Sequence, residues 1–170
     1  EIERLYKIAP ENEILKYNRL YCAIRLDTAS ASPDVQAKMQ QEIDEMYTKT
    51  KIEKKLLDGL NIEWQFKIME VLDTSEAPAA QLAIEACITR IKTFYDLKDA
   101  SWQNALKLAF VFSRAKDYRY ASTLLEPFVT EKAEENLIFS YISIASHLPE
   151  KFYSRNFARA LSIAHKRNNA

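Results

Sequence analysis

Gly59 is the only glycine in a chain of 170 residues, and this one fact narrows the fold more than any other. The tight hairpins of a sheet call for positive φ at their central positions, which glycine supplies at the least steric cost. A sheet protein of this length would need several such turns. Long helices with short joints need far fewer. Runs of strict apolar–polar alternation, the mark of half-buried strands, are absent as well.

Apolar residues recur instead at spacings of three and four, which predicts about nine helices. Residues 1–9 read as the end of a helix, with Ile2, Leu5, Tyr6 and Ile8 on one face and Pro10 stopping the run. A second helix is expected over 11–26, with Ile14, Leu15, Tyr17, Leu20, Tyr21 and Ile24 as its apolar positions. The loop 28–32 offers Ser32 as an N-cap and Pro33 for the first turn of a helix over 33–47. Val35, Met39, Ile43, Met46 and Tyr47 face inward there. Residues 51–73 form one long helix, or two joined near Gly59, on a stripe of Ile52, Leu56, Leu60, Trp64, Ile68, Val71 and Leu72.

Five further segments follow the same logic. Residues 77–97 carry Ala80, Ile84, Cys87, Ile91 and Phe94. Asp99 or Ser101 caps a helix running to Ala115, with Trp102, Ala105, Leu108, Ala109 and Phe112 facing inward. Residues 117–130 present Ala121, Leu124, Leu125 and Phe128. The last two helices, 133–147 and 149–167, present Leu137, Tyr141, Ile144 and Leu148, then Tyr153, Phe157, Leu161 and Ala164. Joints of a few residues make successive helices antiparallel neighbours.

The balance of 24 basic and 24 acidic residues leaves no global field to steer the chain toward nucleic acid. Acid is in excess in the first half and base in the second, which reads as solvated faces or as a bipolar array. No window of 18 apolar residues exists to span a membrane. Cys22 and Cys87 fall in apolar helical stretches and are expected as packed free thiols.

No catalytic constellation, metal site or cofactor site is read in the sequence, so the chain is not expected to be an enzyme. His147 and His165 lack further ligands at zinc spacing. One glycine makes no phosphate-cradling loop. Glu42, Asp44 and Glu45 lack the alternating ligands of a calcium loop and are expected on a solvated face. Trp64 and Trp102 lie on core stripes rather than on a ligand platform. Arg155, Arg159, Lys166 and Arg167 form either an acid-binding edge or a favourable charge cluster near a helix C-terminus.

The order of small and large residues carries a resemblance. Leu108-Ala109 and Phe112 are followed by Lys116-Asp117-Tyr118, then by Ala121, Leu125 and Phe128. This resembles the tetratricopeptide repeat, with Lys116 where the family's turn glycine falls. Ile2, Leu5, Ile8 and Pro10-Glu11-Asn12 resemble the close of a repeat, and Tyr17-Asn18 falls where the next repeat carries such a pair. From Ala109 to Ser143 is 34 residues, the family's period; earlier units are longer.

The resemblance implies an all-α fold, a right-handed α–α superhelix of antiparallel helix pairs forming one domain over 1–170. The pairs are expected at 11–50, 51–97, 99–131 and 133–168, with 1–9 the second half of a truncated repeat and the chain a segment of a longer protein. Another helix-pair solenoid and a closed bundle are the alternatives. Such superhelices line a concave face with the first helix of each pair. Carried over, that face holds Tyr17, Asn18, Tyr21 and Arg25, then Gln65 and Met69, then Phe110, Ser113 and Arg114, then Ser140. In the family, the asparagine matched by Asn18 bonds the backbone of a bound peptide. The implied function is a non-catalytic scaffold that takes a peptide or a partner's helix in this groove. A regulatory domain sensing a peptide or small ligand is the alternative. The mixed aromatic and polar lining lacks the Lys, Arg and Asn set of a carboxylate clamp.

Overall fold

The computed structural model describes residues 2–26, 32–71, 78–94, 101–149 and 154–168, and every regular element among them is helical. In chain order these are α1 (Ile2–Ile8), α2 (Glu13–Arg25), α3 (Pro33–Lys49), α4 (Lys54–Val71), α5 (Pro78–Phe94), α6 (Trp102–Arg114), α7 (Tyr118–Leu125), α8 (Glu135–Ala145) and α9 (Ser154–Asn168). The helix starts follow local chemistry. The Asn12 side chain accepts from Leu15 N at 3.0 Å, Ser101 from Asn104 N at 3.3 Å, and Asp117 from Tyr120 N at 3.2 Å. Pro33 occupies the first turn of α3, although the Ser32 side chain makes no cap bond.

Gly59 does not break α4, which runs through it. Two boundaries differ from the sequence reading. Pro127 turns the end of the seventh segment into a short 3-10 turn, Glu126–Phe128. Pro149 stands outside any helix, and the last helix is described over Ser154–Asn168, with residues 150–153 outside the described set.

The chain divides into two compact units, Glu1–Asp73 and Thr74–Ala170. The helices of the pair expected over 51–97 therefore belong to different units, α4 to the first and α5 to the second.

In the first unit, α1 packs on α2, and both α2 and α3 pack on α4. The core joins Leu20 and Ile24 of α2, Met39, Ile43 and Met46 of α3, and Leu57, Leu60 and Trp64 of α4. The expected α4 stripe is buried at Leu60 and Trp64, with Ile52 and Ile68 packed against the same core, but differs at Leu56 and Val71, and Leu72 lies outside the described residues. Leu57, Ile62 and Met69 are buried, while Leu56 and Val71 are 48% and 43% exposed. Val35 of α3 is likewise exposed.

The acidic run of α3 is not simply solvated. Glu42 pairs with Arg19 and Glu45 with Lys16 at 3.8 Å, tying α3 to α2, while Lys49 of α3 itself lies 3.4 Å from Glu45. A bond from Gln41, with Lys49 close by, holds the Glu45 carboxyl below its ordinary pKa. Trp64 is fully buried, and its indole N–H has no hydrogen-bond partner among the described residues.

In the second unit, α6 packs most extensively on α7, α7 on α8, and α8 on α9, while α6 also touches α5 and α8. Ala105, Leu108, Ala109, Val111 and Phe112 of α6 meet a core that includes Ala121 and Leu125 of α7 and Leu137, Ile138 and Tyr141 of α8. The Phe112 and Tyr120 rings lie 4.4 Å apart. On α9 the buried residues include Ala160 and Ile163, while Leu161 is 45% exposed, so this stripe too differs from the expected one.

The basic end of α9 is structural. Arg167 Nη2 donates to the carbonyls of Glu131 at 2.6 Å and Ala133 at 2.7 Å, and Lys166 pairs with Glu131 at 3.5 Å. Of the four expected cations, only Arg155 and Arg159 stand on an exposed face clear of this clamp.

Candidate functional site

The ten residues expected on one binding face fall into different environments. On α2, Tyr17, Tyr21 and Arg25 recur every four residues and share a face. The Tyr17 and Tyr21 rings stack at 6.3 Å with 15° between their planes. The Arg25 guanidinium lies 5.3 Å from the Tyr21 ring centroid, and its Nη2 donates to the Tyr21 hydroxyl at 3.0 Å. Behind it stands Glu63 of α4, with its carboxylate 3.9 Å from Arg25 Nε and its side chain 9% exposed. The hydroxyl bond first, then Glu63, raises the pKa of Arg25 further and keeps it charged.

Exposure grades along this ladder. Arg25 and Tyr21 are exposed, with Tyr21 at 39%. Tyr17 is half-buried against the core of the first unit, and its burial raises the hydroxyl's pKa. Asn18 is half-buried beside it. Tyr17 is therefore as much a packing residue as a surface one.

Gln65 and Met69 present no binding surface. They are 2% and 0% exposed. Gln65 Nε2 donates to Gln40 Oε1 at 2.7 Å and to Asn61 Oδ1 at 3.2 Å. A buried amide must find such partners. The turn of α4 that brings Leu57 and Trp64 inward also carries Gln65 and Met69 to buried positions.

In the second unit, Phe110, Ser113 and Arg114 lie together at the C-terminal end of α6. Arg114 stands 5.9 Å from the Phe110 ring centroid, and the Ser113 hydroxyl donates to the Phe110 carbonyl at 3.0 Å. Ser140 is half-buried on α8, next to Phe139, which is 45% exposed.

Ser113 and Arg114 also line a cavity of about 240 Å³ with Gln81, Ile84, Ala115, Lys116 and Tyr118. Lys116 is the only non-glycine residue with positive φ among those described, at φ 60°. Its N–H bonds the Ser113 carbonyl at 2.9 Å, and the Asp117 N–H bonds the Phe112 carbonyl at 2.9 Å. These two bonds make the paired closure of a helix end around a left-handed residue. Tyr118 is held by stacking on His147, with ring centroids 4.2 Å apart and 12° between planes.

The sequence reading missed Gln81, Lys116 and Tyr118 as a group, and Glu63 as the support of Arg25. Only Lys116 carried a sequence signal, a long cationic side chain where the resembled turn has glycine.

Among the described residues no group of three or more His, Cys, Asp or Glu is placed to hold a metal ion. No described helix is long and apolar enough to cross a membrane. Comparison with protein-family models, with curated proteins and with solved structures finds no match to this chain.

Proposed function

We propose that this chain is a non-catalytic protein-interaction module of the tetratricopeptide type, whose helix pairs stack as a right-handed α–α superhelix. The contact pattern within each unit supports the architecture. Within the units, α1–α2, α3–α4, α5–α6, α6–α7, α7–α8 and α8–α9 touch, as do the next-but-one helices α2–α4 and α6–α8. The small–large order of α6 and α7 and the 34-residue interval from Ala109 to Ser143 support it too.

The observation that carries the function is the Tyr17–Tyr21–Arg25 ladder on α2. Tyr and Arg are the residue types that contribute most at protein interfaces. Stacking and the bond to the Tyr21 hydroxyl hold these side chains in place before any partner arrives, which lowers the entropy lost on binding. The partner is a peptide or a helix that lays an apolar or aromatic side chain on Tyr21 and an acceptor on Arg25. The resemblance assigns Asn18, one residue along, to the backbone of the bound segment.

The test compares partners captured from native lysate by the unmodified segment and by a Tyr21→Ala, Arg25→Ala variant of matched helicity. Tyr17 is left intact because it packs on the core. A partner held by the former and lost by the latter supports the reading. Identical capture by both removes the α2 face from consideration.

A second reading, a regulatory domain that senses a small ligand, draws on the cavity at the α6–α7 turn. It concerns a different face and stands or falls separately.

A further inference from the structure

The cavity beside the α6–α7 turn has a lining with a chemical bias. Two of its seven residues, Arg114 and Lys116, are cationic, and Gln81 and Tyr118 add neutral donors. Ile84 and Ala115 supply an apolar wall. No carboxylate is among the described lining residues. Of the two acids that adjoin lining residues along the chain, Asp117 is turned to accept from Tyr120 N as the α7 N-cap, and Glu85, next to Ile84, is exposed. The Ser113 hydroxyl proton is already given to the Phe110 carbonyl, so Ser113 shapes the site rather than donating into it.

Lys116 is the informative residue. A cation favours a helix C-terminus, and Arg114 in the last turn of α6 already meets that preference. Lys116 lies beyond the last turn and holds the left-handed conformation, where glycine is the low-energy choice. The chain thus keeps a long ammonium-bearing side chain at a position that disfavours any side chain. The α6 carbonyls of Val111, Phe112 and Ser113 are taken by the N–H groups of Ala115, Asp117 and Lys116, which blunts the negative end of the helix facing the cavity.

We propose that this cavity is a binding site for a small phosphate monoester. A phosphate dianion matches a guanidinium and an ammonium in charge. Gln81 and Tyr118 complete its donors, and the Ile84–Ala115 wall takes a short carbon body. At about 240 Å³ the cavity lies below the usual range for drug-sized ligands, roughly 300–1,000 Å³, so the body is limited to a few carbons. This deepens the ligand-sensing reading and uses none of the α2 face, so its failure leaves the interaction module intact.

Titration with inorganic phosphate, at constant ionic strength against chloride, tests the site through backbone amide NMR shifts. Glycerol 3-phosphate and N-acetyl-phosphoserine amide follow as separate arms, distinguishing a free metabolite from a phosphorylated side chain as the source. Saturable shifts at Ala115, Lys116 and Tyr118 are expected, with weaker binding as salt rises. Lys116→Gly removes the ammonium while favouring the turn, so lost binding there cannot be ascribed to a damaged fold. A loss of about tenfold or more in affinity is expected for it and for Arg114→Gln, the scale of one charge-assisted hydrogen bond. Absence of saturable shifts at the turn, or equal affinity in native protein and both variants, overturns the proposal.

Discussion

Replacing Lys116 by glycine should stabilise the protein, although it deletes a whole side chain. An L-residue in the left-handed region bears roughly 1–2 kcal/mol from its Cβ against the following carbonyl. Lys116 sits there at φ 60°. Glycine removes that strain, but it also loosens the unfolded chain, which offsets about 0.4–1 kcal/mol. The net expectation is a gain of roughly 0.5–1 kcal/mol, since the two turn bonds from Lys116 N and Asp117 N are backbone bonds that survive the change. In a unit of this size such a gain raises the melting midpoint by about 2–6 °C. Trp102 lies in the second unit and Trp64 in the first. Fluorescence of a Trp64→Phe background therefore follows the unit that contains the turn. That background is tolerable because Phe discards an indole N–H that has no partner among the described residues. Lys116→Ala is the control, since it removes the long side chain but keeps the Cβ. If glycine is no more stable than alanine in urea and thermal melts, the left-handed strain is not the quantity that matters and the reasoning fails.

Other expectations follow from the same structure. Gly59→Ala should stabilise by about 0.5–1 kcal/mol in urea titration, because the position is inside α4 and an added Cβ meets nothing within 4 Å. Phe112→Ala should lose about 3–5 kcal/mol, a fully buried ring being replaced by a cavity, and a loss under 1 kcal/mol would contradict the packing described for α6. Arg167→Ala should lose about 1–3 kcal/mol and increase amide exchange in α9, since the Glu131 and Ala133 carbonyls lose a charged donor. Burial raises the Cys87 thiol from its ordinary 9.0 to about 11, partly opposed by Arg90. A raised folded-state pKa means the contribution is intact below pH 9 and is lost as pH climbs toward 11. Stability should fall over that window by on the order of 2 kcal/mol more in native protein than in Cys87→Ala. An identical alkaline profile for the two would show the thiolate to be solvated.

Much of the helical layout was legible in the chain because its determinants are local. A single glycine, apolar spacing of three and four, and the caps Asn12, Ser101 and Asp117 act within a turn or two of where they stand. Pro127 likewise acts locally, although its consequence, a 3-10 turn in place of a longer helix, was not drawn from the sequence. On α6 the expected inward positions Ala105, Leu108, Ala109 and Phe112 are buried, because they recur at spacings of three and four along one side of the helix.

Tertiary packing decided the rest, and the reason is that periodicity does not set phase where a helix has apolar residues on more than one side. On α4, Leu56 and Leu57 are equal candidates by type, yet the first is 48% exposed and the second 3%. The same packing buries Gln65 and Met69, two residues expected on a binding face. On α9 the choice between Leu161 and Ile163 is settled the same way. The acids of α3 read as solvent-facing until α2 places Arg19 and Lys16 opposite Glu42 and Glu45. The cavity shows the limit most plainly. Gln81, Arg114, Lys116 and Tyr118 come from three helices and the joint between two of them. Each is ordinary alone, and only the packing of α5 against α6 gives them a common space to face.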